Sequence, residues 1–350
     1  MNHQMSRRSF IFGSAVAAAG AGLALAGCSS SSSTRESTET ESADGAAASE
    51  DGERVAIRLG GLKGPTSMGL VKMLDDCENG LTRNEYEFTM GASADELTPS
   101  ILQGELDILA VPVNLGAVLY NNSDKGMRMM VASMLGAIYV MEKDGEEVNS
   151  IEDLAGKTLY TVGKGSTPEY LLSYLLDQHG LKIDEDVMVE WREDPTEIVG
   201  LLSAGTASVC MLPQPFVTVA QGQVENLRIA LDMNEQWNNL DNGTQLITAG
   251  FIARKDFIDE HPQQAADFIQ DAAESTDWVN NNVADAAQLV EKYDIVKATI
   301  AEASIPKCNI VCITGEEMKK DTQAYFQVLY DQNPDAVGGA MPEDDFYYES

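Results

Sequence analysis

Short apolar runs alternate with helical patterns along most of this chain. Alternation of apolar and polar residues over about five positions is typical of a half-buried strand, and apolar spacing of three to four residues is typical of a helix. The predicted strands are at 55–59, 85–90, 106–111, 158–162, 187–191, 209–211, 227–231 and 245–253. The predicted helices are at 66–74, 94–103, 169–178, 195–204, 256–281, 283–293 and 316–332, with further helices starting near 112–114 and 213–217.

Regular alternation of strands and helices predicts an α/β fold with mostly parallel sheets flanked by helices. The pattern occurs in two similar series, and apolar segments near 137–141 and 246–250 join them. We therefore predict two lobes, one formed by 55–137 plus 250–350 and the other by 138–249. The two joining segments would act as hinge crossings, and ligands would bind where strands end and helices begin.

The first 27 residues read as an export signal. Arg7 and Arg8 precede an apolar run rich in alanine and glycine, which ends at Leu25-Ala26-Gly27-Cys28. Twin-arginine targeting and general secretion both fit this pattern, whereas a membrane-spanning helix is disfavoured because large apolar side chains are few. The last four residues resemble a bacterial lipobox, which implies that Cys28 is lipidated and holds the protein on the outer face of the cell membrane.

Residues 28–54 form a predicted tether after the lipidated cysteine. Beyond Cys28 the segment is rich in serine, threonine and acidic residues and has almost no large apolar side chain. Such a composition cannot bury enough surface to offset chain entropy. A flexible span of about 25–30 Å follows from the random-coil estimate.

Charge and composition exclude several classes of function. The formal net charge is −33, which argues against nucleic-acid binding because that binding relies on Lys and Arg contacts to phosphate. Beyond the signal only His179 and His261 are present, and they are isolated in the sequence. We therefore predict no metal site, no cofactor and no catalytic dyad, and hence no enzyme. Free thiols are favoured over a disulfide in a chain of this size, although a Cys308–Cys312 bond stays open.

Polar residues at the strand-to-helix turns are the candidate ligand contacts. A glycine-rich turn with hydroxyl groups before a helix offers backbone N–H groups and the positive end of the helix dipole. Helix capping explains the same hydroxyl and amide residues, and aromatic residues are more often core than pocket wall. The candidates are Lys63, Gly64, Thr66, Ser67, Asn114, Tyr139, Lys164, Gly165, Ser166, Thr167, Gln214, Phe216 and Trp237.

Several segments, in order behind the lipobox, resemble the solute-binding lipoproteins of ATP-driven importers. They include 62–68 (LKGPTSM), 110–121 (AVPVNLGAVLYN), 163–170 (GKGSTPEY) and 212–217 (LPQPFV). The resemblance is to the group that contains nitrate, sulfonate or taurine, and thiamine-pyrimidine-precursor binders. It implies a two-lobed, periplasmic-binding-protein-like fold, a monomer that traps a small solute by closing its cleft, and a membrane permease as partner.

Two other functions remain open at this point. A sensor lipoprotein would bind a protein partner instead of a transporter, and pyrimidine-precursor synthases share the implied fold. The synthases are disfavoured because this chain has no cysteine-rich motif or nucleophile–base pair. The solute is also open, since lysines and helix starts favour an anion whereas the aromatic candidates favour a planar heterocycle.

Overall fold

The computed structural model describes residues 55–145 and 147–349, and the predicted signal, lipidated Cys28 and tether lie outside these residues. The described chain contains eleven strands arranged in two sheets. The strands are β1 (Ala56–Leu62), β2 (Glu85–Gly91), β3 (Ile108–Pro112), β4 (Met127–Leu135), β5 (Ile138–Lys143), β6 (Thr158–Val162), β7 (Met188–Arg192), β8 (Val209–Pro213), β9 (Leu227–Asp232), β10 (Ile247–Arg254) and β11 (Ile310–Ile313).

The first sheet has six strands in the order β11-β4-β10-β3-β1-β2. Strand β1 pairs in parallel with β2 and β3, while β10 is antiparallel to both β3 and β4. The second sheet has the order β7-β6-β8-β5-β9, in which β6 is parallel to β7 and β8, and β5 is antiparallel to β8 and β9. Four strands of each sheet therefore run in one direction, and the predicted α/β fold with two mostly parallel sheets is confirmed. Each sheet with its helices is called a lobe below.

Thirteen α-helices cover the two sheets of the described chain. They are α1 (Pro65–Met68), α2 (Val71–Glu78), α3 (Ala94–Leu102), α4 (Val113–Asn122), α5 (Thr167–Gln178), α6 (Pro195–Ser203), α7 (Phe216–Gln223), α8 (Met233–Asn238), α9 (Lys255–Glu260), α10 (Pro262–Asn281), α11 (Val283–Lys292), α12 (Ala298–Ser304) and α13 (Gly315–Gln332). The single helix predicted at 256–281 is two helices, because Pro262 lacks an N–H and disfavours the helical conformation of His261.

Strand β4 is the largest element that the hydrophobic pattern did not predict. Eight of its nine residues are buried, since β10 and β11 flank it in the sheet and helices cover it. A strand that is buried on both faces shows no alternation, and its methionines carry little strand preference. The pattern also missed α8, α12 and β11.

The first crossing between the lobes is the two-residue link Gly136-Ala137 between β4 and β5. Both residues have left-handed backbones, with φ of 69° and 67°. The second crossing, residues 239–246, leads from α8 into β10. The Gly136 N–H donates to the Leu246 carbonyl at 2.9 Å, so the two crossings are hydrogen-bonded to each other. Any rotation of one lobe against the other must pass through this paired segment.

A buried aromatic group joins the lobes beside the crossings. Trp237 of α8 is fully buried, and its ring lies 4.9 Å from that of Tyr174 in α5 and 5.6 Å from that of Tyr325 in α13. The apolar core continues through these rings from one lobe into the other, and the described residues belong to one compact unit. The domain boundaries predicted above stay a prediction.

No helix within the described residues is long and apolar enough to cross a bilayer. The described cysteines, Cys77, Cys210, Cys308 and Cys312, are free thiols. Burial raises the pKa of Cys210 and of Cys308 to about 12 and that of Cys312 to about 11.

Candidate functional site

A cavity of about 270 Å³ lies between the two lobes, where the strands of both sheets end. Its wall comes from the turns that follow β1, β2, β3, β6 and β8, from the first crossing with the adjoining ends of β4 and β5, and from the start of β10. The residues that line it are Leu62, Lys63, Gly64, Pro65, Thr66, Ala92, Pro112, Met134, Gly136, Ala137, Ile138, Ser166, Thr167, Pro168, Pro213, Gln214, Pro215, Phe216 and Thr248. The position agrees with the rule that α/β proteins bind ligands at the carboxyl ends of their parallel strands.

The sequence builds this wall from proline-rich turns. Pro112, Pro213 and Pro215 lie where β3 and β8 give way to α4 and α7, and Pro168 lies in the first turn of α5. Proline suits the start of a helix because its fixed φ is already helical and its missing N–H would have no partner there. Three helices of eight or more residues therefore begin at the cavity, with the positive ends of their dipoles towards it.

Gln214 is the most deeply buried polar side chain of the cavity wall, with 1% of its surface exposed. Its backbone N–H donates to the Ala137 carbonyl at 2.9 Å, which ties β8 to the first crossing. Its side-chain Oε1 accepts from the Thr218 hydroxyl at 3.0 Å, whereas Nε2 has no hydrogen-bond partner among the described residues. A buried amide with one unpaired end is a polar group that a ligand can satisfy.

The hydroxyl groups around the cavity are held by the protein itself. Ser166 donates to the Gly163 carbonyl at 2.8 Å, and Thr248 donates to the Gly136 carbonyl at 3.1 Å. Thr66 makes a long contact of 3.5 Å to the Leu62 carbonyl. Ser166 therefore shapes the turn before α5 instead of capping the helix with its side chain.

Lys63 is the one charged residue of the cavity wall in the described chain. Its ammonium lies 3.2 Å from a carboxylate oxygen of Asp294. Both side chains are exposed, with 47% of the Lys63 surface and 99% of the Asp294 surface accessible. Exposed pairs of this kind hold together weakly, so the ammonium can leave its partner at little cost.

Seven of the predicted ligand contacts line the cavity and come from both lobes. They are Lys63, Gly64, Thr66, Ser166, Thr167, Gln214 and Phe216. Turns distant in sequence thus meet at one cavity, as expected for parallel strands whose carboxyl ends share an edge.

Asn114 and Ser67 lie behind the wall. The Asn114 amide oxygen accepts from the Thr167 hydroxyl at 3.1 Å, and its amide nitrogen donates to the Ala336 carbonyl at 3.3 Å. Asn114 belongs to α4 and Thr167 to α5, so this buried pair is a bridge between the lobes. Ser67 donates to the Leu62 carbonyl at 2.7 Å and fixes the turn after β1.

Tyr139 and Trp237, expected above as stacking residues, do not line the cavity. The Tyr139 hydroxyl donates to the Lys307 carbonyl at 2.8 Å, and burial raises its pKa. Trp237 belongs to the inter-lobe core, and its indole N–H donates to the Thr244 hydroxyl at 3.0 Å. The rings of Tyr139 and Trp237 are buried in the core. Phe216 is the aromatic residue that lines the cavity.

Lys164 and Gly165 also lie outside the wall, on the exposed part of the turn before α5. Gly165 has a φ of 77°, and its N–H donates to the Glu169 carboxylate. The glycine is therefore explained by the turn that it makes and not by contact with a ligand.

Sequence reasoning missed the apolar part of the wall and one hydroxyl residue. The missed residues include Ala92, Met134, Ala137, Ile138 and Thr248. Most of them adjoin the two crossings, and the predicted hinge was the one available signal that could have found them. No cluster of three or more His, Cys, Asp or Glu side chains suited to a metal ion occurs among the residues described.

Comparison with known families agrees with this architecture. The profile of the NMT1-like family matches residues 78–292, which is more than half of the chain. The chain belongs to the NMT1-like family. No curated protein matches it closely enough to report.

Solved structures of the same fold include proteins similar to this NMT1-like chain. An ABC transporter protein from Parabacteroides distasonis is 22% identical with a TM-score of 0.71, covering 84% of this chain and 99% of its own. The periplasmic aliphatic sulphonate binding protein SsuA from Escherichia coli is 15% identical with a TM-score of 0.67, covering 84% and 94%. The periplasmic nitrate-binding protein NrtA from Synechocystis is 12% identical with a TM-score of 0.55, covering 81% and 84%. At these identities the likeness establishes the two-lobed fold.

Proposed function

We propose that this protein is the solute-binding component of an ABC importer and captures a small molecule in the cavity between its lobes. The observation that carries the proposal is the cavity itself, which both lobes line and which contains a buried, unpaired amide at Gln214. A volume of 270 Å³ lies just below the range of about 300–1,000 Å³ typical of drug-sized ligands, so the solute is a small metabolite.

The crossings supply the mechanical part of the function. Gly136-Ala137 and residues 239–246 are short and hydrogen-bonded to each other, so they define one hinge beside the cavity. A solute that contacts both lobes binds the closed form better than the open form and shifts the population towards closure. A change from mostly open to mostly closed requires about 5.5 kcal/mol of differential binding, which several buried contacts together provide. Closure is the state that a permease would recognise.

The names of structural neighbours support the same role. SsuA is an aliphatic sulphonate binding protein and NrtA a nitrate-binding protein, and a neighbour from Staphylococcus aureus is the ligand-binding component of an ABC-type import system. Together with the predicted signal and lipobox, they favour an extracytoplasmic receptor that is not an enzyme.

A thermal-shift screen tests the binding function. Purified protein is heated with inorganic anions, sulfonates, and thiamine or flavin precursors, beside a variant in which Ala92→Trp fills the cavity mouth. Ala92 is exposed, so the variant is expected to fold normally. A solute present at a hundred times its Kd adds about 2.7 kcal/mol of stability, or roughly 5 °C in Tm, and the blocked variant should lose this shift.

A screen in which no solute shifts the wild-type Tm would contradict the proposal and favour a sensor lipoprotein that binds a protein partner. A shift that survives Ala92→Trp would place the binding site elsewhere. Both results can be interpreted without knowing the natural solute in advance.

The anchor is tested separately, at the cysteine of the predicted lipobox. We expect the wild-type protein to sediment with membranes and to incorporate a labelled fatty acid. Cys28→Ser should release it into the soluble extracytoplasmic fraction and abolish the label, because two acyl chains provide the membrane affinity. Cys77→Ser is the matched control, since Cys77 lies in the folded part and is expected to leave both readouts unchanged.

A further inference from the structure

Within the described chain, the side-chain amide of Gln214 is hydrogen-bonded at one end only. Its backbone is fixed by the hydrogen bond to the Ala137 carbonyl and by Pro213 and Pro215 on either side. The hydroxyl of Thr218, in the first turn of α7, donates to Oε1. The acceptor end of the amide is therefore occupied within the protein, and the donor end, Nε2, is left without a partner.

An unpaired buried N–H group is costly in a folded protein, and native structures contain few of them. Gln214 is 1% exposed and lines the cavity, so bulk water does not relieve this cost in the structure as it stands. A bound molecule that presents an oxygen or aromatic nitrogen to Nε2 would relieve it. A molecule that presents another donor would leave two donors face to face.

The remainder of the wall offers little to a positively charged ligand. Five of the lining residues are prolines, which have no N–H, and Leu62, Met134, Ile138 and Phe216 are hydrocarbon or thioether. No carboxylate lines the cavity in the described chain, and its one charged residue is Lys63. The helix starts of α4, α5 and α7 also direct positive dipole ends to this region. The absence of a carboxylate among the described lining residues, the positive charge of Lys63 and the helix dipoles all disfavour an ammonium group.

From this arrangement we infer that the cavity selects a compact, mostly apolar solute whose polar end is a hydrogen-bond acceptor. Gln214 recognises this acceptor by donating a hydrogen bond from Nε2. The inference rests on the proposed solute-binding function and adds the chemical class of the solute to it. An acceptor can be a neutral carbonyl or an anionic carboxylate or sulfonate oxygen. An ammonium-bearing solute of the same size is rejected.

Three probes of similar size separate these classes, namely acetophenone, benzoate and benzylammonium. Each is titrated calorimetrically into the mature chain carrying Cys28→Ser, at neutral pH. We expect acetophenone or benzoate to bind at least about tenfold more tightly than benzylammonium, because only the first two satisfy Nε2. In Gln214→Met, which keeps the volume and removes the donor, acetophenone and benzoate should each bind about tenfold more weakly. The preference over benzylammonium should shrink accordingly and keep only the part that Lys63 and the helix dipoles provide.

The variant Gln214→Glu provides the opposite test, since it replaces the donor with an acceptor of the same shape. Benzoate should then bind at least about tenfold more weakly, and benzylammonium should bind more tightly than in the wild type. Gln221→Glu is the matched control, because it makes the same chemical change at an exposed position of α7, the helix that follows Gln214. It is expected to leave all three affinities unchanged. If Gln214→Glu does not fold, Gln214→Met decides the question alone.

The inference is overturned if benzylammonium binds the wild type as tightly as benzoate and acetophenone, or if Gln214→Met keeps the wild-type preference. It is also overturned if none of the three probes binds with a Kd below about 10 mM. The proposed function fails only if the wider solute screen, with its blocked Ala92→Trp variant, yields no cavity ligand. The two failures are therefore distinct.

Discussion

Replacing Gln214 by methionine should leave the stability of the ligand-free protein nearly unchanged while weakening solute binding. The substitution removes an unpaired buried donor, which costs the native state about 1–3 kcal/mol. It also leaves the buried Thr218 hydroxyl without its acceptor, which costs about 1–3 kcal/mol in turn. The two effects offset each other, so we expect a free energy of unfolding within about 1 kcal/mol of the wild type, whereas most buried substitutions destabilise.

The assay is equilibrium unfolding in urea, followed at constant pH with and without the solute found in the screen. Without solute, the midpoint of Gln214→Met should lie close to that of the wild type. With solute, it should lie below that of the wild type, because the variant has lost a hydrogen bond to the ligand that is worth about tenfold in affinity.

Thr218→Val is the control for the other half of the amide. It leaves both ends of the Gln214 side chain unpaired, so we expect a loss of about 1 kcal/mol or more without solute. The double variant with Gln214→Met should be less destabilised than the two separate effects imply, since neither unpaired group remains. A Gln214→Met protein that is destabilised as much as Thr218→Val, and that binds solute as the wild type does, would refute the reasoning.

Two further predictions concern the hinge and the thiols. Gly136→Ala combines a left-handed backbone with a Cβ only 2.6 Å from the Asn234 Cβ, so it should lower the free energy of unfolding by about 2–4 kcal/mol. Gly156→Ala, which has a similar φ and no atom within 4 Å of its Cβ, should cost only about 1 kcal/mol in urea unfolding, and equal losses would disprove the contact argument. Cys210 and Cys308 are buried and have pKa values of about 12, so they should resist iodoacetamide at pH 8 in the native protein and react after unfolding. Labelling of either thiol in the native protein, detected by mass spectrometry of tryptic peptides, would contradict this burial.

The sequence predicts the fold well because local patterns determine it. Alternating residues at 55–59 and the glycine-rich turn after them give β1 and the start of α1 without reference to the rest of the chain. Strand β4 is missed because its burial comes from β10 and β11, which are more than a hundred residues away. A strand flanked on both sides has no local signature beyond its apolar composition.

The sequence predicts where the site lies, but it identifies only some of the residues that line the site. Gln214 follows from its place between two prolines at the end of a strand, which is visible in the sequence. That its oxygen is occupied by Thr218 and its nitrogen left free depends on side-chain geometry. Trp237 is a candidate from the sequence that does not line the cavity. A tryptophan near a crossing can contact a ligand or pack in the core, and the contacts of Trp237 with Tyr174 and Tyr325 show that it packs in the core.

The central claim is that a solute held between the lobes closes them about the paired crossings. Pulsed electron spin resonance measures this directly, with spin labels at Asp95→Cys and Lys164→Cys, which are exposed and lie in different lobes. Cys28, Cys77 and Cys312 are replaced by serine so that the labels attach only at these two positions. With saturating solute we predict a shorter and narrower distance distribution, and Ala92→Trp should remove the change. A distribution that the bound solute leaves unaltered would contradict the account.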